Sequence, residues 1–466
     1  MSEMAATHSA SKTRKVPRIL ILGGGYVGLY TAMQIRKRMG RREVAIVVVD
    51  PRSYMTYQPF LPEAAAGSIE PRHVVAPHRR LLKGCTVLSG RVTGLNHAER
   101  RATITPAEGE TYEVSYDHVV VGLGSVARVL PIPGLAENGI GFKQIEEAIA
   151  LRNQVLGRMD QAASTWDPEM RKRMLTFTFV GGGFAGIEAI AEVEDMARAA
   201  CKDFDSIQQE DLRFVLIEAM HRILPEVGDE LGGYALEQLR ARGIEVKLNT
   251  FLNSAEDGKI VCSDDDEFYS DTLVWTAGVK ANPVLADSDL PLDSMGRVQT
   301  HPTLQVCDDD GELIDGAWAA GDCAAVPDLT ADEPGATCGP TAQHAVRQAR
   351  HLGDNIVRHL SGEEVQDYAH KNVGTVASMG LYKGVANIQG LKLRGPIAWF
   401  MHRTYHMWAM PSFNRKARIL LDWTTALLFR REMVALGSLQ SPRESFISAA
   451  TSKKPEAKKA SAGARK

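Results

Sequence analysis

Two stretches of this chain share one alternation of apolar and polar positions. In the first, Ile19 to Leu22 is an unbroken apolar run of strand length. It passes into Gly23-x-Gly25-x-x-Gly28, after which Leu29, Met33 and Ile35 recur at helical spacing. A second apolar run, Val44 to Val49, ends on Asp50. The later stretch repeats this order. Thr176 to Val180 leads into Gly181-x-Gly183-x-x-Gly186, a helical segment carries Glu188 and Glu192, and Phe214 to Ile217 ends on Glu218. Continuous apolar runs predict strands buried on both faces, which is the signature of parallel sheets flanked by helices.

The glycines have separate tasks in such a unit. Gly23 and Gly181 allow the tight turn, Gly25 and Gly183 let backbone approach a pyrophosphate, and Gly28 and Gly186 let helix and strand pack closely. The helix starts at Tyr26-Val27 and at Phe184 offer free N–H groups and a positive dipole end to phosphates. Asp50, 22 residues after Gly28, is placed to bind a ribose. Glu218 comes 32 residues after Gly186, so the segment from Asp195 to Glu210 is expected to lengthen the crossover. The two units lie 158 residues apart and predict two dinucleotide-binding domains in one chain.

Between and beyond these units the pattern is coarser. Pro59 and Pro62 interrupt Tyr54 to Gly67, and the alanines that follow suit a short helix packed close to something flat. Residues 86–121 alternate like short strands, and Val119 to Gly124 and Leu273 to Gly278 are strands stopping on glycine turns. Pro131-Ile-Pro-Gly134 is a plausible crossing between domains. Ile145 to Ala162 and Gly339 to Leu360 read as helices, the latter with Pro340 in its first turn. A strand-like region follows from Val373 to Ile388. Ala320-Gly321-Asp322 sets an acid at another glycine turn.

Length bounds the answer: 466 residues exceed one ordinary core, so two or three domains are expected. A net charge of −3 argues against general nucleic-acid affinity. The six cysteines are scattered without a CxxC, and read as reduced spectator thiols with no metal site. Residues 1–16 are polar and basic and look frayed, and no run of about 18 apolar residues spans a bilayer.

Two GxGxxG units, Asp50 and the late Gly321-Asp322 resemble the two-dinucleotide flavoprotein oxidoreductases. Tyr57 to Gly67, Trp275 to Val279, Ala320 to Cys323 and Ala342-Gln343-x-Ala345 resemble the type II, non-proton-pumping NADH:quinone oxidoreductases within that superfamily. The resemblance implies an α/β fold with two Rossmann-like domains of the disulfide-reductase-like type. It implies FAD on the first unit, with Gly124, Gly321, Asp322 and Ala342 beside it, and NADH on the second, with Gly278 beside it. It also implies hydride transfer to the flavin, then two-electron transfer to a membrane quinone. Glu188 would face nicotinamide and flavin, and Gln343 would sit by the flavin ring and the quinone head. A capping role is the other reading of Gln343, and a helix-surface role that of Glu192. The helix start at Pro340-Thr341 is placed to stabilise negative charge on the reduced flavin.

The family pattern would put a second glutamine at 347, where this chain has Arg347 and carries Gln348 one position later. One residue is about 100° of helix rotation, so Gln348 does not simply replace it. Arg347, Gln343 and Lys383, with Tyr382, are the candidates for the quinone site. Glu218 would repel a 2′-phosphate and favour NADH over NADPH, although Arg222 lies nearby. Without a CxxxxC pair, the disulfide reductases do not fit. Cys338 has no evident partner of the kind a sulfide:quinone oxidoreductase needs.

Between Arg394 and Arg431 there are seven Arg or Lys against one acid, Asp422, interleaved with Trp399, Tyr405, Trp408 and Trp423. Short basic amphipathic helices of this kind predict a monotopic anchor in the headgroup layer. A dimer interface, or a helix packed on the body, is the alternative. The expected organisation is therefore a frayed 1–16, an FAD domain in two parts (17–132 and 297–390) and an NADH domain (133–296). An anchor (391–440) and a disordered basic tail (441–466) follow. The protein is expected as a homodimer on the cytoplasmic face of the cell membrane. A soluble reductase with another acceptor and an NADH/FAD-binding redox sensor are the rival readings.

Overall fold

A computed structural model describes residues 16–371, 373–429, 431–436, 443 and 446–448. The expectations for the two termini, 1–16 and 441–466, fall almost wholly outside these residues.

Six strands form the first sheet, in the order Gln305–Cys307, Leu313–Ala319, His118–Val121, Arg18–Leu22, Ala45–Asp50 and Thr86–Ser89. All neighbours are parallel except the edge pair that includes Gln305–Cys307. Ile19 to Leu22 are fully buried at its centre, as their unbroken apolar run requires. The chain thus leaves this sheet after residue 121 and returns to it near residue 305. In between it builds a second, all-parallel sheet ordered Gly139–Gly141, Thr272–Trp275, Thr176–Val180, Arg213–Ile217 and Ile244–Lys247. The crossing is made by Ser125–Ala127 and Val279–Ala281, which pair antiparallel directly after Gly124 and Gly278. Pro131 to Gly134 lies just beyond it.

Each sheet carries its glycine helix, Tyr26–Arg38 or Phe184–Ala200. The Phe184–Ala200 helix, followed by short turns over Cys201–Asp203 and Gln209–Asp211, accounts for the long spacing to Glu218. The helix Ile145–Ala163 begins with a capping box in which Gln144 and Glu147 satisfy each other's backbone N–H groups. The Ala342–Ser361 helix packs on Tyr26–Arg38, where Thr31 Oγ1 donates to the Ala349 carbonyl at 3.0 Å. Its N-cap is Thr341, whose hydroxyl accepts from His344 N, so Pro340 precedes the helix instead of opening it. The short helix Leu61–Ala65 packs against the helices Ile145–Ala163 and Phe184–Ala200, which is the surface its small alanines fit.

The strand-like region 373–388 is a hairpin, Gly374–Ser378 and Gly384–Ile388, extended by Leu391–Arg394. Two helices close the described chain, Gly395–Ala409 and Phe413–Leu428. Among the described residues no helix is long and apolar enough to cross a membrane.

Candidate functional site

The two glycine turns are built alike down to single hydrogen bonds. Asp50 Oδ2 accepts from Gly24 N at 2.7 Å and Asp50 Oδ1 from Arg52 N at 2.8 Å. Glu218 accepts from Gly182 N through one oxygen and from Met220 N at 2.6 Å through the other. Each acid is thus fixed at the crevice mouth with lone pairs left for ribose hydroxyls. A β-carbon at Gly28 would lie 1.8 Å from the Gly23 carbonyl oxygen, and one at Gly186 would lie 1.9 Å from that of Gly181, so close packing demands glycine at both. At Gly25 and Gly183 a β-carbon would meet no protein atom within 4 Å. No protein contact requires glycine there; the open space matches the approach of a pyrophosphate, and both crevices fit a dinucleotide.

Asp322 stands across the first crevice. Its Oδ2 accepts from Ser125 Oγ at 2.6 Å and lies 3.6 Å from Lys143 Nζ. Gly321, in a left-handed turn where a β-carbon would lie 2.6 Å from Val27 Cγ2, gives its N–H to Gln348 Oε1 at 2.8 Å. Gln348 therefore locks the Gly321-Asp322 turn, a task distinct from the one expected at 347. Neither Lys143 nor Gln348 was singled out from sequence for this turn. A buried glutamine on a helix that faces the glycine helix is the signal that could have found it.

Ala342 is the first residue of its helix, and Gln343 beside it is half-buried, with no hydrogen-bond partner for its amide among the described residues. With Thr341 as the cap, Gln343 is free for a ligand. Arg347 folds back along the same helix, donating to the Gln343 carbonyl at 3.2 Å. Its charge helps hold His344 and His370 below their ordinary pKa, though burial is the larger cause for both. Lys383 lies in the turn of the 374–388 hairpin, where Asp195 accepts from Leu381 N at 2.7 Å. No hydrogen bond, ion pair or ring contact joins Lys383 to Gln343 or Arg347 among the described residues. Tyr382 is half exposed and packs on Trp399, ring centroids 4.9 Å apart.

Glu188 is buried on the second turn of its helix, and its Oε1 accepts from Ser378 N at 2.9 Å and meets His402 Nε2 at 3.0 Å. Burial opposes charge on His402, but the carboxylates of Glu188 and Glu63 outweigh it and the imidazole pKa is raised. One turn along from Glu188, Glu192 is 0% exposed, which rules out the surface reading. Both its oxygens lack a hydrogen-bond partner. Burial, reinforced by Glu63 and opposed by Arg403 and Arg431, pushes its pKa up to about 7. Glu63 accepts from Trp423 Nε1 at 2.7 Å and pairs with Arg403 at 3.3 Å. Arg403 in turn lies over the rings of Trp399 and Trp423. The C-terminal helices are therefore pinned to the body by buried charge as well as by apolar contact.

All six cysteines are free. Burial pushes Cys338 up to about 11 and Cys323 up to about 12, so neither is a thiolate at neutral pH. Among the described residues no cluster of ligand side chains could hold a metal ion.

Two dinucleotide crevices joined by a two-stranded crossing, with a late Gly-Asp turn closing the first, define a two-dinucleotide oxidoreductase. The chain belongs to the type II NADH:quinone oxidoreductases, within the pyridine nucleotide-disulphide oxidoreductase family that matches residues 13–349. It is 30% identical over 429 residues to the type II NADH:quinone oxidoreductase of Mycobacterium tuberculosis, covering 89% of each chain. A type II NADH:quinone oxidoreductase of Staphylococcus epidermidis is 27% identical over 389 residues, 83% of this chain and 93% of that one. The solved structure of NDH2 from Plasmodium falciparum in complex with NADH shares the fold. Its TM-score is 0.82 at 16% identity, over 90% of this chain and 100% of that chain.

Proposed function

We propose that this protein oxidises NADH and reduces a membrane quinone without pumping protons, working from the cytoplasmic membrane surface as a homodimer. The observation that carries this reading is the paired glycine turns with their fixed acids, Asp50 and Glu218, set on two sheets that one chain holds together. The first crevice would hold FAD, which would supply hydride acceptance from NADH and two-electron release to the acceptor.

The residues divide the remaining work. Gly23, Gly25, Tyr26, Val27 and Gly28 would cradle the FAD pyrophosphate, Asp50 would hold its ribose, and Asp322, backed by Ser125 and Lys143, would meet the ribityl chain. Gly181, Gly183, Phe184 and Gly186 do the same for NADH. The Glu218 carboxylate takes the ribose and repels a 2′-phosphate, which favours NADH. Glu188, held by Ser378 N and His402, is the candidate carboxylate beside nicotinamide and flavin. Gln343, with its unpartnered amide, is the quinone contact on the 342–361 helix, and Arg347 supplies positive charge one turn further.

Membrane attachment rests on the two C-terminal helices. Their inner face is Trp399, Ile419 and Trp423, all buried. Their outer face leaves Trp408, Phe413, Leu421 and Leu428 more than half exposed among basic residues. An exposed apolar stripe with basic flanks fits a headgroup layer. The assay is NADH oxidation by the purified protein with quinone held in anionic phospholipid vesicles. Turnover with NADH at least about tenfold above NADPH is expected, and no quinone-dependent turnover with either nucleotide would contradict the reading.

A further inference from the structure

The proposed quinone contact, Gln343, has a charged neighbour. Arg347 lies one turn further along the Ala342–Ser361 helix and folds back, its Nη1 donating to the Gln343 carbonyl at 3.2 Å. The guanidinium is thereby held at the Gln343 end of the helix. Arg347 is half-buried, and among the described residues this is its one hydrogen bond, with no ion pair. A guanidinium carries five N–H donors in a flat fork, so most of them are left for a ligand. The Gln343 amide beside it also lacks a protein partner among the described residues. A neutral amide suits a quinone carbonyl. An unmatched guanidinium suits an anion.

The groups around Arg347 do not cancel its charge. His344, His370 and Tyr368 all feel it. Burial is the larger influence on each, holding both imidazoles below their ordinary pKa and the phenol above its own. All three are therefore neutral at neutral pH. His344 Nδ1 meets the Tyr368 hydroxyl at 3.0 Å, and the His344 and His370 rings lie 6.0 Å apart. The carboxylate acting on these imidazoles is Asp328, which is engaged in its own turn by Thr330 N at 2.9 Å and Thr330 Oγ1 at 2.8 Å. The helix start at Thr341 adds the positive end of its dipole to the same place. A partly desolvated positive charge with no acid against it is stabilised by an anionic ligand and gains little from a neutral one.

We propose that Gln343 and Arg347 together select a quinone bearing an ionised acidic substituent, with a ring carbonyl on the Gln343 amide and the anion on the Arg347 fork. The proposal rests on the quinone reading above and names the class of quinone that the site takes. The reaction is unchanged. NADH, one proton and the quinone give NAD+ and the quinol, and the acidic substituent takes no part in the electron transfer. A glutamine at 347, as the family pattern would have it, offers hydrogen bonds but no charge, so Arg347 is what sets the preference.

The test compares a naphthoquinone sulfonate with unsubstituted naphthoquinone as acceptors for the FAD-loaded wild type, R347Q, R347K and K172Q. Lys172 is exposed on the Pro168–Met174 helix and controls for net charge. The ratio of kcat/KM, sulfonate to unsubstituted, should fall about tenfold or more in R347Q, chiefly through a higher KM for the sulfonate. R347K keeps the charge without the fork and should lose less than R347Q. K172Q should match the wild type. A wild-type ratio in R347Q, a loss in R347K as deep as in R347Q, or an equal loss in K172Q would overturn the proposal and leave the quinone reading intact. Flavin that NADH bleaches and neither quinone reoxidises would overturn the quinone reading itself, and the proposal with it.

Discussion

Glu192 shows how far one side chain can depart from its sequence expectation. An acid at helical spacing among alanines and other acids fits a solvated face as readily as a functional one, yet the position turns inward where the Leu61–Ala65 helix packs on its own helix. Its pKa is raised from the ordinary 4.5 to about 7. Between those values the folded protein keeps a proton that the unfolded chain releases, so this group makes stability fall as pH rises through that window. E192Q removes the dependence. Relative to wild type, its denaturant-unfolding free energy should gain about 2–3 kcal/mol on going from pH 4.5 to pH 8, and parallel curves across that range would refute the assignment. Glu218 was legible because its chemistry is local. It ends an apolar strand, and its backbone partner lies in the glycine turn that the motif marks. E218Q keeps the hydrogen-bonding shape but not the repulsion, so the NADH-to-NADPH ratio of kcat/KM should shrink about tenfold.

At the scale of elements, strands and helices with continuous or 3.6-period patterns could be read directly, because burial on both faces or along one stripe fixes their composition. What could not be read is what pins one element to another far along the chain. Trp423 gives its indole proton to Glu63 across 360 residues, and His406 meets Tyr57 across 349. Such pairs leave no local period, and only the folded chain brings Glu63, Arg403 and the two tryptophans together. The same docking decides which face of the C-terminal helices is left outward. Ile419 and Trp423 go in, and Leu420, Leu421, Leu427 and Leu428 stay out. L421D with L428D places charge on that outer stripe without touching the inner one. Sedimentation with anionic vesicles should drop by about tenfold or more, while the thermal transition stays within a few degrees of wild type. Retained binding would move the anchor elsewhere.

Over the whole molecule, the expected duplication of one supersecondary unit appears as two sheets, the second inserted between strands of the first. The crossing pair Ser125–Ala127 and Val279–Ala281 ties them, and a late Gly-Asp turn is held by a helix that returns to the first unit. This arrangement sets two nucleotide crevices on one chain, with the buried Glu192 on the second glycine helix. Electrons are proposed to enter from NADH and leave to quinone through this one path. Anaerobic stopped-flow mixing of the FAD-loaded protein with NADH, then with detergent-solubilised quinone, tests it most directly. NADH should bleach the flavin absorbance at about 450 nm, and quinone should restore it rapidly. Bleaching that quinone does not reverse would contradict the acceptor, and failure of NADH to bleach the flavin would contradict the account at its root.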